Sequence, residues 1–389
     1  MIPYGKHHID EDDIKAVIKV LKSDNLTQGP LINAFEKEVS KFVGAKYSVA
    51  LTSCTAGLHL AAMVSKITKG KNLLTSPITF ASTANSSLFC GGETIFADID
   101  ASTINISVDN IKKVISKNNV HAIAPVHFGG LPCDMKRIRE IANEIGAIVY
   151  EDAAHAFGAS FPDGSKVGSC KYSDMTVFSF HPVKSIATGE GGIVTTNDKI
   201  LYEKLLRLRN HGIERNKDNF KFKNNSQTDG ISNPWYYEMQ ELGYHYRITD
   251  IQCALGLSQL KKIDKFINKR KELAKKYDSA FKNLKNCEPA QKNMRDLSSN
   301  HLYILKVNFK QLGKSRAKLM VDLKNAGIVT QVHYIPVTSH PFFKEKNYDL
   351  DNLTNAYSYY EKALSIPLFY DLSEEQQQYV IEKVKKLIG

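Results

Sequence analysis

The sequence predicts an α/β protein, with a large, mostly parallel-sheet domain over residues 1–250 followed by a linking helix and a small C-terminal α+β domain over 251–389. Three observations carry that reading. From about residue 10 the chain alternates helical and strand-like segments, the pattern of a parallel sheet covered by helices. Its strand-like runs are apolar almost throughout rather than alternating, as strands covered on both faces are. Beyond residue 240 a long helical stripe leads into a shorter series of strands and helices, which reads as a second, smaller unit.

Asp10 stands three residues before Asp13 and ahead of Ile14, Val17, Ile18 and Leu21, a 3.6-residue stripe with a candidate N-cap. Leu31, Phe35, Val39 and Phe42 mark a second amphipathic helix. The predicted buried strands are 47–51 (YSVAL), 94–99 (TIFADI), 121–126 (HAIAPV), 147–151 (AIVYE), 175–180 (MTVFSF) and 192–196 (GIVTT). Residues 214–240, dominated by Lys, Asn, Asp and Gly around NNSQTDG, form the expected mobile loop or inter-domain excursion. A helix over 249–283, broken near Lys261, ties the first part of the chain to the second. After it come a strand from Leu302 to Val307, a helix from Lys314 to Ala326 ended by Gly327, a strand near Val329 to Val332, and a last helix from Ser373 to Ile388.

At 389 residues, 42% hydrophobic and 24% charged, the chain is neither disordered nor a small disulfide scaffold. No apolar run reaches the roughly 18 residues of a spanning helix, and Met1 to Asp13 lack a signal-peptide core. A soluble, unexported, cytoplasmic protein with no membrane partner is expected. Six cysteines without a C-x-x-C pair or a His at ligand spacing predict buried free thiols and no metal site. Lys and Arg outnumber Asp and Glu by 52 to 41, and eight basic residues crowd between Lys261 and Lys276. Interleaved with Leu260, Ile263, Ile267, Leu273 and Tyr277, they read as a solvated helix face, and no helix-turn-helix, zinc finger or RNP-like motif aims them at nucleic acid.

Open parallel sheets bind ligands beyond the carboxyl ends of their strands. After YSVAL comes Thr52-Ser53-Cys54-Thr55-Ala56-Gly57 and then a helix, so hydroxyls and free N–H groups meet at a helix N-terminus, a phosphate cradle or simply a capped helix. After AIVYE comes Asp152, whose carboxylate is costly at a strand end unless a cation or an N–H meets it; an ordinary ion pair would do. After MTVFSF comes His181-Pro182-Val183-Lys184 and then Thr188-Gly189-Glu190-Gly191-Gly192. Most lysines are solvated charges, but one kept from water by Phe178 and Phe180 has its pKa pushed down, as an amine nucleophile requires. Neither G-x-G-x-x-G nor G-x-x-x-x-G-K-[ST] occurs, which favours another phosphorylated cofactor. A lysine for a carbonyl, an aspartate for a pyridinium nitrogen and a helix N-terminus for a phosphate together are what pyridoxal 5'-phosphate demands of a protein. Phe80, in PITFAS, offers an aromatic face on which a flat ring could stack; by itself it reads as a core Phe.

The blocks LTSCTAGLHLA, SPITFASTANS, YEDAAHAFGA, FSFHPVKSIATGEGG, LGYHYRITDIQCALGLSQL and QVHYIP cover nearly the whole chain in order. They resemble the pyridoxal-phosphate-dependent sugar aminotransferases of the DegT/DnrJ/EryC1/StrS group. FHPVK, SSNHLYIL and QVHY most resemble the branch of pseudaminic acid biosynthesis that aminates UDP-4-keto-6-deoxy-N-acetyl-altrosamine. The resemblance implies the fold of aspartate aminotransferase (fold type I) and a homodimer with shared active sites. It further implies Lys184 as the lysine joined to the cofactor, Asp152 as partner of the pyridine nitrogen, and His155 beside the ring near its phenolic oxygen. Phe80 would stack on the ring, while Thr55, Ala56 and Ser179 would hold the phosphate. The family's G-x-N-x-R segment, read here as Gly243 to Arg247, would reach the neighbouring subunit's phosphate, with His245 where Asn is usual. Two further departures are a 214–240 segment longer than usual and Ile335 in place of a frequent Lys.

The implied cycle is ping-pong, with L-glutamate converting the cofactor to pyridoxamine 5'-phosphate, releasing 2-oxoglutarate, and the amino group then passing to a nucleotide-linked keto sugar. All these ligands are anions, which accounts for a basic chain without nucleic acid. Other 4-keto or 3-keto sugar nucleotides remain open. A dehydratase of the same group would carry His where Lys184 stands, and a non-catalytic sensor or DNA-binding protein on this scaffold would use the basic helix instead.

Overall fold

The computed structural model describes residues 1–346, 348 and 352–389. Seven strands, β1 (Tyr47–Leu51), β2 (Asn72–Thr75), β3 (Glu93–Phe96), β4 (Ala122–Ala124), β5 (Ile148–Asp152), β6 (Met175–Ser179) and β7 (Gly192–Thr196), form one sheet in the order β1-β7-β6-β5-β4-β2-β3. Pairings from β3 through β6 are parallel, whereas β7 runs antiparallel to both β6 and β1. The sheet is thus mostly parallel, and the return strand β7 lets a short turn, rather than a crossover helix, connect it to β6. That turn carries Lys184.

Apolar clusters cover both faces. One joins Phe35, Val39, Ile138, Phe157, Phe178 and Phe180, and the other joins Leu58, Leu60, Tyr150, Val177 and Val194. Successive strand residues point to opposite sides, so continuous apolarity is the expected signature of this burial. The helices framing the site are α1 (Glu11–Leu21), α2 (Pro30–Val43), α3 (Cys54–Val64), α4 (Ala81–Phe89), α5 (Val108–Ile115), α6 (Met135–Ile145), α7 (Lys199–Arg209), α8 (Asp250–Leu260) and α9 (Ile263–Phe281). Asp10 caps α1, accepting from the N–H groups of Asp12 and Asp13 while Asp13 accepts from Asp10 in return. No side chain of its own caps α2; Asp250 of α8 accepts from Gly29 N at 2.8 Å and Leu31 N at 3.0 Å.

A second sheet, β8 (Cys287–Pro289), β9 (Tyr303–Val307) and β10 (Ala363–Ile366), is wholly antiparallel and shares a core with α9, α10 (Arg316–Asn325) and the final helix, α12 (Glu374–Ile388), whose sequence neighbour α11 (Thr354–Lys362) precedes β10. Asp98, past β3, ties this part to the large sheet by accepting from Asn355 N at 2.8 Å and Ala356 N at 2.9 Å, at the start of α11.

Several expectations change. The break in the long helix falls at Lys261–Lys262, but the strand expected near Val329 to Val332 is only two isolated bridges, Ile2 with Ile328 and Gln331 with Ser365. Each lies against a different partner, so no ladder propagates. Strand β2 and helix α11 were not anticipated. The basic face is also less solvated than expected, since Arg270 is 3% exposed, and Lys262 binds Asp10 and Asp13, both at 2.7 Å. Residues 214–240 are an excursion closed at its base, where Ile213–Glu214 pairs with Glu238–Met239, and the Glu238 carboxylate accepts from the N–H groups of Lys221 and Phe222.

Gly192 opens β7 between Leu51 of β1 and Ser179 of β6. A Cβ there would stand 2.5 Å from Cys54 N and from Ser53 C and O, backbone that cannot swing away as a side chain could. Gly192→Ala is expected to lower stability in urea unfolding by about 1–3 kcal/mol, the usual cost of overpacking, and to loosen phosphate binding at Ser53 to Thr55.

Candidate active site

The carboxyl ends of β1, β5 and β6 open into a cleft of about 680 Å³, whose far wall is supplied by residues 331–335 and by Tyr4. Six of the eight residues expected at the site, Thr55, Phe80, Asp152, His155, Ser179 and Lys184, line it. Ala56 lies just behind, its N–H donated to Ser53 Oγ at 3.1 Å as the cap of α3. That leaves the N–H groups of Cys54 and Thr55, with the Thr55 hydroxyl, as the uncommitted donors of the helix N-terminus among the described residues. His245 stays out of its own chain's cleft; it is exposed, stacked on His211 at 5.4 Å, and Arg247 keeps its pKa below the usual histidine range.

Lys184 makes no hydrogen bond or salt bridge with any described residue. Removal from water dominates its electrostatics and, with a smaller push from Arg270, outweighs the attraction of Cys54 and Asp152, so its pKa falls from 10.5 to about 8. A neutral amine is thereby abundant near physiological pH.

Asp152 ends β5 buried, yet no cation sits on it. Thr83 of α4 donates its hydroxyl to Oδ2 at 2.5 Å and Ala154 donates its N–H to Oδ1 at 3.0 Å. The Thr83 hydroxyl is in turn 2.7 Å from that of Thr79. The carboxylate is thus solvated by dipoles and keeps its charge for something in the cleft. Phe80, the N-cap residue of α4, is 63% exposed and projects its ring into the same space.

His155 packs its ring 4.4 Å from that of His301 and lies 3.0 Å from Tyr334 Oη. Desolvation, Lys184 and His333 hold its pKa well below 6.5, so the imidazole is neutral. Thr83, Tyr4, Tyr334, His301 and Arg270 were not singled out from the sequence. Each lies far along the chain from the residue it serves, and no local signal marks it.

The side chains present fit pyridoxal phosphate: a desolvated amine for a carbonyl, a dipole-solvated carboxylate for a pyridinium, an aromatic face, and a helix N-terminus with hydroxyls for a phosphate.

The sequence profile of the DegT/DnrJ/EryC1/StrS aminotransferase family matches residues 7–385. The chain belongs to this family. It is 38% identical to the spore coat polysaccharide biosynthesis protein SpsC of Bacillus subtilis over 100% of this chain and 97% of that protein. It is 37% identical to the UDP-4-amino-4,6-dideoxy-N-acetyl-beta-L-altrosamine transaminase of Campylobacter jejuni over 99% of each. Among solved structures, Helicobacter pylori PseC, an aminotransferase involved in the biosynthesis of pseudoaminic acid, superposes with a TM-score of 0.90 at 31% identity, covering 100% of this chain and 99% of that one. The fold is that of the family's aminotransferases, as the sequence blocks imply.

The lowered pKa of Lys184 has a directional consequence. Because the neutral amine reacts, labelling of Lys184 by formaldehyde and borohydride in the cofactor-free protein should rise with pH to half its maximum near about 8, while exposed lysines keep rising toward 10.5. Peptide mass spectrometry across the pH series reads both; a Lys184 profile matching the surface lysines would refute the shift.

Proposed function

We propose that this aminotransferase moves an amino group from L-glutamate to a nucleotide-linked 4-keto-6-deoxy sugar, with UDP-4-keto-6-deoxy-N-acetyl-altrosamine as the acceptor and pyridoxal phosphate in the cleft. The observation that carries this is the pairing, in one cleft, of a desolvated and unpartnered Lys184 amine with the dipole-held carboxylate of Asp152. The C. jejuni and H. pylori relatives support the sugar. SpsC, at similar identity, supports a second reading, another keto-sugar nucleotide destined for a polysaccharide.

When bound, pyridoxal phosphate supplies an electron sink for the pair left behind as a proton leaves the substrate carbon. Lys184 Nζ captures the cofactor's carbonyl and, once displaced by the incoming amine, carries that proton in both half-reactions. Asp152 keeps the pyridine nitrogen protonated, and Thr83 and the Ala154 N–H keep Asp152 ionised and aimed. Thr55, Ser179 and the first N–H groups of α3 hold the phosphate, with Phe80 covering one ring face. A dehydratase would need His in place of Lys184. His245 and Arg247 cannot serve this cleft from within the chain, and we assign them to the phosphate of a second copy, in a homodimer whose sites are shared.

The first test is the absorbance spectrum of the purified protein before and after L-glutamate, followed by a screen of keto-sugar nucleotides. Conversion to the pyridoxamine form is expected; bound cofactor that glutamate leaves unchanged would point to another donor or another chemistry. Lys184→Ala should keep the fold but lose both the yellow covalent absorbance and turnover. Asp152→Asn should retain cofactor while turnover drops at least about a hundredfold, the scale of lost proton control; near-normal turnover would remove Asp152 from this role.

A further inference from the structure

The hydrogen bonds around His155 decide which of its nitrogens carries the proton. Gly129, in the turn after β4, donates its backbone N–H to His155 Nδ1 at 3.3 Å, so that nitrogen is the acceptor. A neutral imidazole has one N–H. It must therefore sit on Nε2, which lies 3.0 Å from Tyr334 Oη. Tyr334 accepts that bond, and its oxygen has no other hydrogen-bond partner among the described residues. The phenol cannot give its proton to His155. It does not shed it either, because burial, together with Asp152 and Tyr4, raises its pKa above the ordinary phenol value.

The two walls of the cleft divide the ligand between them. Groups suited to the cofactor, Thr55, Asp152, Ser179 and Lys184, stand at the ends of the large sheet's strands or just beyond them. Tyr334 comes from the opposite side, on the 331–335 segment, with His333 beside it fixed to Ser365 of β10 through Nδ1 to Oγ at 2.8 Å. A hydroxyl donor on that wall faces whatever lies over the cofactor. Resting on the keto-sugar reading above, we infer that Tyr334 is a sugar-positioning residue, donating its hydroxyl proton to an oxygen of the keto sugar, and that His155 does not touch the ligand through Nε2 but orients Tyr334 from behind. This reassigns the donor that the family resemblance gave to His155.

Two measurements test it. Long-range proton–nitrogen correlation spectra of histidine-labelled protein, with His155→Gln used for assignment, should show His155 as the Nε2–H tautomer at neutral pH. An Nδ1–H tautomer or an imidazolium there would overturn the inference, since Tyr334 would then not be left with a proton to donate. Second, UDP-4-keto-6-deoxy-N-acetyl-altrosamine and UDP alone are titrated into the pyridoxal-phosphate form, which cannot aminate the sugar, for the wild type and Tyr334→Phe. The variant should bind the keto-sugar nucleotide about three- to tenfold more weakly, the scale of one neutral hydrogen bond, and UDP equally well. Equal losses for both probes, or none for the sugar nucleotide, would overturn the inference. So would loss of the L-glutamate half-reaction with sugar affinity intact, which would give the phenol to the cofactor ring. Wild-type protein that responds to glutamate yet binds neither probe removes the sugar-nucleotide reading, and this inference with it.

Discussion

Everything useful about Lys184 depends on closing its turn off from water without letting a carboxylate close on its nitrogen. A salt bridge would be the cheaper arrangement, because an ion pair offsets part of the cost of removing a charge from solvent. The fold instead spends its buried carboxylates elsewhere. Glu151, next to Asp152 in β5, points to the other face of the sheet and is consumed by His127 at 2.5 Å, with Ser173 and Thr176. Glu36 is taken by Arg209 at 2.5 Å and by Ala50 N. Asp152, the acid left over, is satisfied by a hydroxyl and an amide, which hold a carboxylate without discharging it. Two groups of opposite tendency are thereby kept uncommitted in one cleft.

The antiparallel β7 makes this possible. A parallel successor to β6 would require a long crossover, and the lysine would ride on a helix outside the sheet. Returning directly through Gly191 and Gly192 keeps Lys184 over the strand ends, and the absence of a Cβ at Gly192 lets the N-terminus of α3 press against the same corner. Amine and phosphate-binding helix end are thus set by one close backbone approach.

Much of this was legible in the sequence because the relevant residues follow directly from short apolar runs. Asp152, Ser179 and Lys184 are read off the ends of β5 and β6, and Thr55 off the turn into a helix. What sequence could not supply is everything fixed by contacts between distant segments. Thr83 is 69 residues from the carboxylate it serves and Tyr334 is 179 from its histidine. Strand β2 was missed because its four residues, NLLT, begin on a polar Asn and give too short a run to register. Arg270 was taken for part of a solvated face because its neighbours are; burial at one position of a helix is decided by what packs against it, here the carbonyls of His301 and Leu368.

The bridge between Ile2 and Ile328 sets an order of events during synthesis. Ile2 N donates to Gly327 O and Val329 N donates back to Ile2 O, while Tyr4 O accepts from Leu368 N. The first residues to leave the ribosome therefore wait for nearly the last before they have anything to pair with, and loops of that span close slowly. The large sheet can assemble while the chain is still growing, but one wall of the cleft is added only after release, when the beginning of the polypeptide finds its end.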